Sequence, residues 1–283
     1  MQDDNPILHA QTATLLTSLA RDLPQAIMLS GPRGVGKRYV TEKWLTRTGG
    51  FSKLRLRIIE PLEAKKGIAI EQIRDLYRAS RAKQDEDQVF ILDGADTMSL
   101  GAQNAFLKLL EEPNSSTHFV LLSHLPQQLL PTIRSRVQEV NIYPLETAQL
   151  EDFLRQTYPK LSKEAIQQIL FVSRGRIGLA SLLAQDKELL DEYRNQAAVA
   201  KEFLLGSKLD RLKIVGNLGN DRERALTILE LVVQMARSLL HKAKTSPQTL
   251  NWASKIDLAE EVANRLVANG NIKAQLTYLA LSL

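Results

Sequence analysis

Short apolar runs that alternate with helical periods constrain this chain more than any other feature. Ala26–Ser30 and residues 88–93 (QVFILD) and 118–123 (HFVLLS) are apolar runs with the length of a strand, and residues 54–59 (LRLRII) alternate as a strand would. Between them lie helical patterns. Residues 9–22 read as a helix, a second starts at about Lys37, and residues 68–82 place Ile70, Ile73 and Tyr77 at helical spacing. Residues 99–112 put Ala102, Ala105, Phe106, Leu109 and Leu110 on one face and stop before Pro113, as the restriction on a residue preceding proline requires. Short apolar strands of this kind belong to a sheet covered on both faces, and their alternation with helices implies parallel strands joined by crossovers.

From about Thr147 the strand signals nearly vanish. Helical periods run through 147–157, 162–172 and 175–185, and helix follows helix over 187–283 with breaks near Gly206, Gly216–Gly219, Ser246-Pro247 and Gly270. Within 221–243, Ala225, Ile228, Leu229, Val232, Val233, Ala236 and Leu240 form the wide apolar stripe of a bundle helix. The expected organisation is an α/β domain over 1–146, a small helical domain over 147–186 and an all-α domain over 187–283.

Composition removes several kinds of chemistry. The 283 residues contain no cysteine, which excludes disulfides, thiol catalysis and cysteine zinc sites and points to a reducing, cytoplasmic setting. The acidic, polar start Met1-Gln2-Asp3-Asp4 does not read as a signal peptide, and no apolar run reaches the ~18 residues needed to span a bilayer, so no membrane partner is expected. Lys and Arg number 37 against 32 Asp and Glu, a net charge of +5. That excess is too thin for a chain that grips DNA unaided; any nucleic acid would be held by an assembly. His9, His118, His124 and His241 are scattered without metal-ligand spacing, so no metal site is expected.

The strongest local motif is Gly31-Pro32-Arg33-Gly34-Val35-Gly36-Lys37, a G-x-x-x-x-G-K run between a strand and a helix. Gly31, Gly34 and Gly36 let backbone N–H groups wrap a phosphate at the helix N-terminus, and Lys37 reaches the outer phosphates. The next residue departs from the pattern. A hydroxyl there would hold Mg²⁺, but the residue is Arg38, whose guanidinium donates hydrogen bonds and cannot coordinate a cation. Asp93 closes an apolar strand where Mg²⁺ would be steadied, and Gly94 follows where a water-positioning carboxylate is needed. The site therefore reads as a degraded nucleotide site. Arg38 either pairs with Asp93 in the place of Mg²⁺ or points away along its helix. Asp96 is expected to cap the helix that starts near Ser99.

Five segments in order now resemble one family. They are Gly31–Lys37, Ile70-Glu71-Gln72-Ile73-Arg74, Ile91–Asp96, Asn104-Ala105-Phe106-Leu107-Lys108-Leu109-Leu110-Glu111-Glu112-Pro113, and Leu130-Pro131-Thr132-Ile133-Arg134-Ser135-Arg136-Val137. Together they are similar to the clamp-loader ATPases of bacterial DNA replication, members of the AAA+ class, over about residues 5–145. The resemblance implies an α/β AAA+ P-loop core with a parallel sheet, a small helical lid and a C-terminal all-α collar. It implies ATP between neighbouring subunits of a hetero-pentameric ring that loads a sliding clamp onto primed DNA. Ser135-Arg136-Val137 matches the family's Ser-Arg-Cys motif, with valine at a packing position. That match implies that Arg136 is an arginine finger acting in trans on the neighbour's ATP, where it stabilises charge on the γ-phosphate. The polar residue that ends the fourth core strand corresponds to Ser123, and the position of the lid arginine falls on Gly178, with Arg176 nearby. The cysteine zinc knuckle of many relatives has no counterpart in Thr46–Ser52, so zinc is not expected. Three readings follow. The first is a subunit with a degenerate site that donates Arg136. The second is an ATP-hydrolysing motor of the same assembly, and the third is a stand-alone P-loop kinase.

Overall fold

The computed structural model describes residues 7–20, 23–47, 54–62, 67–81, 87–112, 116–243 and 245–283. Parts of the 46–52 stretch, Pro113 and the first six residues lie outside the described residues. The chain divides into two compact units, Met1–Ala184 and Gln185–Leu283, and the helices expected to form a lid belong to the first.

In the first unit, five strands form a parallel sheet in the order β2-β3-β4-β1-β5. They are β1 (Ala26–Ser30), β2 (Leu54–Ile59), β3 (Asp87–Asp93), β4 (Thr117–Ser123) and β5 (Gln138–Asn141). The sequence does not mark β5. Its four residues, QEVN, expose all but Val140, and only pairing with β1 makes them a strand.

The alternation of side chains along a strand sorts the core into two layers. Ile27, Leu29, Val89, Ile91, Val120, Leu122 and Val140 face Leu16 of α1 (Ala10–Leu19) and Val40, Trp44 and Leu45 of α2 (Lys37–Arg47). Met28, Phe90, Leu92, Phe119 and Leu121 face Ile73 and Leu76 of α3 (Ile70–Ser80) and Ala102, Phe106 and Leu109 of α4 (Leu100–Glu111). Burying both faces explains why the three middle strands carry no polar alternation. A short α5 (Pro131–Arg134) precedes β5. The helices α6 (Thr147–Thr157), α7 (Lys163–Ser173) and α8 (Ile177–Gln185) follow it.

The second unit is all-α: α9 (Lys187–Leu205), α10 (Lys208–Leu218), α11 (Arg222–Lys242), α12 (Ser246–Val267) and α13 (Ile272–Ser282). Ala225, Ile228, Leu229, Val232 and Ala236 of α11 sit inside a single core with residues from the other four helices. Buried Arg211 donates to the carbonyls of Phe203 (2.9 Å) and Leu204 (3.3 Å), satisfying carbonyls in the last turn of α9 that have no partner within the helix. Arg222 does the same for α12 through the carbonyl of Leu266, and also donates to the carbonyl of Gly270 in the turn that follows. Among the described residues, no helix is long and apolar enough to cross a membrane.

Candidate functional site

The loop 31–36 leaves the buried end of β1 and enters α2. Gly34 has φ +78°, a conformation that side-chain-bearing residues rarely adopt. Lys37 opens α2, and its Nζ donates to the carbonyls of Gly31 (2.7 Å) and Pro32 (3.1 Å). Burial lowers the Lys37 ammonium from 10.5 to about 8; Asp96 and Asp93 pull it back up, and Arg33 adds to the lowering.

Arg38, the next residue, is surrounded by carboxylates. Its Nε donates to Glu42 Oε1 at 3.0 Å, its Nη1 donates to Glu60, and Asp93 Oδ2 lies 4.0 Å away. Of the two alternatives for Arg38, the structure shows it turned towards Asp93, but held chiefly by Glu42 and Glu60. Burial raises the Asp93 carboxyl above its usual range, and the Arg38 charge opposes that rise. Neither glutamate was singled out by the motif. Glu42 stands one helical turn after Arg38, a spacing that favours opposite charges. Glu60 follows β2, whose Ile59 is in register with Leu92, so strand pairing carries it next to Asp93.

These groups line an open cleft of about 560 Å³ that includes Gly34, Gly36, Lys37, Arg38, Asp93, Gly94, His124 and Gly178. The donor set does not fit Mg²⁺: the residue after the lysine is a hydrogen-bond donor, and its charge already stands among the carboxylates. Among the described residues, no group of three or more His, Asp or Glu side chains could hold a metal ion.

The start of α8 lies directly on the loop 31–36. The Leu179 N–H donates to the Gly34 carbonyl at 2.9 Å, and a Cβ on Gly178 would stand 2.8 Å from that same oxygen. Gly178 therefore meets the loop as bare backbone. Arg176, its neighbour in sequence, is turned away, donating to the carbonyls of Ser173 (2.9 Å) and Val172 (3.0 Å) at the end of α7.

One expectation is corrected. Asp96 does not cap α4; Ser99 does, its Oγ accepting from the Ala102 N–H at 3.2 Å. Asp96 is buried and accepts from the His124 N–H at 3.1 Å, with its other oxygen 3.1 Å from His124 Nδ1. Ser123 ends β4 as expected and its carbonyl accepts from the Gly31 N–H at 3.2 Å, but its buried Oγ, without a hydrogen-bond partner among the described residues, lies on the sheet face of Phe119 and Leu121, opposite that of Asp93. The adjacent His124 reaches the cleft wall instead. Burial holds the His124 pKa below its ordinary value, with Asp96 opposing and Arg33 and Lys37 reinforcing. The local sequence did not separate these two neighbours; only strand parity does.

At a separate corner, Ile133 (0% exposed) and Val137 (9%) are sunk in the core on either side of exposed Arg134, Ser135 and Arg136. Valine at the motif's third position is thus a packing residue. The Arg136 guanidinium donates to the Thr132 carbonyl at 3.1 Å and to Glu111 Oε1 at 3.2 Å.

Comparison with known proteins places this geometry. The family described as DNA polymerase III, delta subunit, matches residues 47–146. The delta-prime subunit of DNA polymerase III from Pseudomonas aeruginosa is 35% identical over 173 residues, covering 53% of this chain and 52% of that protein. The Bacillus subtilis delta-prime subunit is 36% identical over 101 residues, 35% of this chain and 30% of that protein. The chain is delta-prime-like. It spans about half the length of the first of these relatives and less than a third of the second. A replication factor C small subunit from Staphylothermus marinus aligns over 275 residues at 22% identity, 90% of this chain and 83% of that protein. A crystal structure of a DNA polymerase III gamma subunit-related protein from Thermotoga maritima superimposes with a TM-score of 0.52 at 19% identity, covering 96% of this chain and 98% of that one. The delta-prime-like chain has the α/β AAA+ fold expected from its motifs.

Proposed function

We propose that this delta-prime-like chain is a clamp-loader subunit of a replicative DNA polymerase assembly. It works beside an ATP-hydrolysing neighbour and lends that neighbour Arg136, while its own ATP site is degenerate. Its partners are the other subunits of a hetero-pentameric ring, the sliding clamp and, through the assembly, primed DNA, all in the cytoplasm.

The observation that carries this reading is the contrast at Arg38. A guanidinium stands where a metal-binding hydroxyl is required, and Glu42, Glu60 and Asp93 already answer its charge. Gly94 adds no carboxylate to position water. Arg136 supports the other half of the reading. It is exposed and held between two buried anchors, as a group that must reach outside its own chain has to be.

The test uses the purified chain and the assembly reconstituted with the motor subunit of the same organism. The chain alone turns over ATP at no more than a trace rate. In the assembly, Arg136→Ala slows hydrolysis at the site it serves by about 10³-fold or more, the range for a lost arginine finger. Brisk turnover by the lone chain favours the motor reading, and an assembly indifferent to Arg136→Ala removes the finger.

A further inference from the structure

The end of α4 is an unfavourable place for negative charge, because the helix macrodipole already presents its negative pole there. Yet Glu111 and Glu112 occupy it side by side. Each is answered by one arginine. Arg81 pairs with Glu112 at 2.7 Å and lies over the Tyr77 ring at 4.7 Å, so its guanidinium is held from two sides. Arg136 pairs with Glu111 at 3.2 Å and, among the described residues, otherwise holds the Thr132 carbonyl, four residues back on its own turn. The guanidinium is thus folded back along its own chain, and extending it towards another subunit means leaving both partners.

We propose that Glu111 is a positioning residue: a counter-ion that parks Arg136 in the free chain and yields it when a phosphate of the neighbouring subunit's nucleotide competes for the guanidinium. This inference rests on the finger reading above and adds its regulation. The strengths are in the right order. Arg136 and Glu111 are 40% and 52% exposed, and an ion pair so open to water shifts an equilibrium by about two- to fivefold. A phosphate group offers several charged acceptor oxygens in the bidentate geometry that guanidinium prefers, so it displaces a single long carboxylate contact. The pair is firm enough to withhold the finger and weak enough to release it. Val137 and Ile133 hold the backbone still, so the exchange needs only side-chain rotation.

Glu111→Gln keeps the shape and removes the charge. In the reconstituted assembly it is expected to raise kcat/KM for ATP by about two- to fivefold at low salt. That gain shrinks towards unity as salt screens the pair. If Glu111 acts through Arg136, the gain is absent when Glu111→Gln is added to Arg136→Ala, a coupling that a double-mutant cycle isolates. Glu112→Gln, which loosens only the Arg81 pair, leaves hydrolysis unchanged. Should Arg136→Ala slow hydrolysis while Glu111→Gln matches or falls below the wild type, or should its gain persist without Arg136, the parking role is overturned and the finger stands. Should Arg136→Ala change nothing, the finger and the parking role both fall.

Discussion

Two arginines of the first unit have nearly the same exposure and opposite situations. The Arg38 side chain is 45% exposed and that of Arg136 is 40%, so access to water does not distinguish them. Their partners do. Among the described residues, Arg38 has three carboxylates within 4.0 Å, whereas Arg136 has one carboxylate and one carbonyl of its own turn. A guanidinium encircled by negative charge neutralises its own surroundings. One with a single weak counter-ion keeps its charge available to another molecule. The difference teaches that a cationic residue in a nucleotide-site motif and one at a surface corner cannot be assigned roles from charge alone; the acidic residues that folding brings to each decide.

The largest test of this contrast is the finger substitution itself, a loss of about 10³-fold or more at one site of the assembly. Next in size is Ile133→Ala. Ile133 is fully buried beneath the Arg136 corner, and its truncation is expected to lower stability by about 2–5 kcal/mol, measured by denaturant unfolding of the chain. If the anchor sets the finger's place, the assembly loses hydrolysis with it; undiminished hydrolysis would show that Arg136 needs no such support.

Smaller still is Arg38→Ala, which leaves Glu42, Glu60 and Asp93 facing one another. Because the cluster is open to solvent, the loss is expected to be about 1 kcal/mol or less. It is read as a lower melting temperature at low salt and a smaller difference at high salt, since screening relieves the repulsion. A melting temperature that rises on removing Arg38 breaks the view that it is needed as a counter-ion.

The finest test is by pH. Lys37 in the folded chain gives up its proton at about 8, against 10.5 for an ordinary lysine. Between those values the unfolded chain binds more protons at this group, so its contribution to stability grows as pH rises through that window. Site-resolved amine labelling is expected to show Lys37 reactivity rising with a midpoint near 8, well before the exposed lysines. A midpoint near 10.5 would mean that the amine is not buried as described. Over this range the cleft loses a positive charge while Arg136 keeps its own, which widens the contrast between the two regions.

The elements and the motifs were not equally legible. The middle strands stood out because burial on both faces demands unbroken apolar runs, and the helix through Phe106 because its apolar face repeats every turn. The strand at 138–141 did not, since a short edge segment with a single buried residue has no pattern of its own. At the cleft, Gly34, Gly36, Lys37, Arg38 and Asp93 were found from their spacing and do line one site. Glu42 and Glu60 were missed because they contribute only when the helix turn and the strand register carry them beside Arg38. His124 was missed at the cleft wall because one step along the chain from Ser123 reverses the face.

Sequence by itself determined the α/β core, the helical remainder, the glycine-rich loop between β1 and α2, and the presence of Arg38 and Gly94 at the two positions on which the proposed loss of hydrolysis rests. Those are properties of local spacing and of side-chain chemistry, which a linear pattern preserves. Only the tertiary structure decided which carboxylates encircle Arg38, that Gly178 brings bare backbone against Gly34, and that Glu111 pairs with Arg136. Such contacts join residues far apart in the chain, and their energies come from distances that exist only after the strands have paired and the helices have packed.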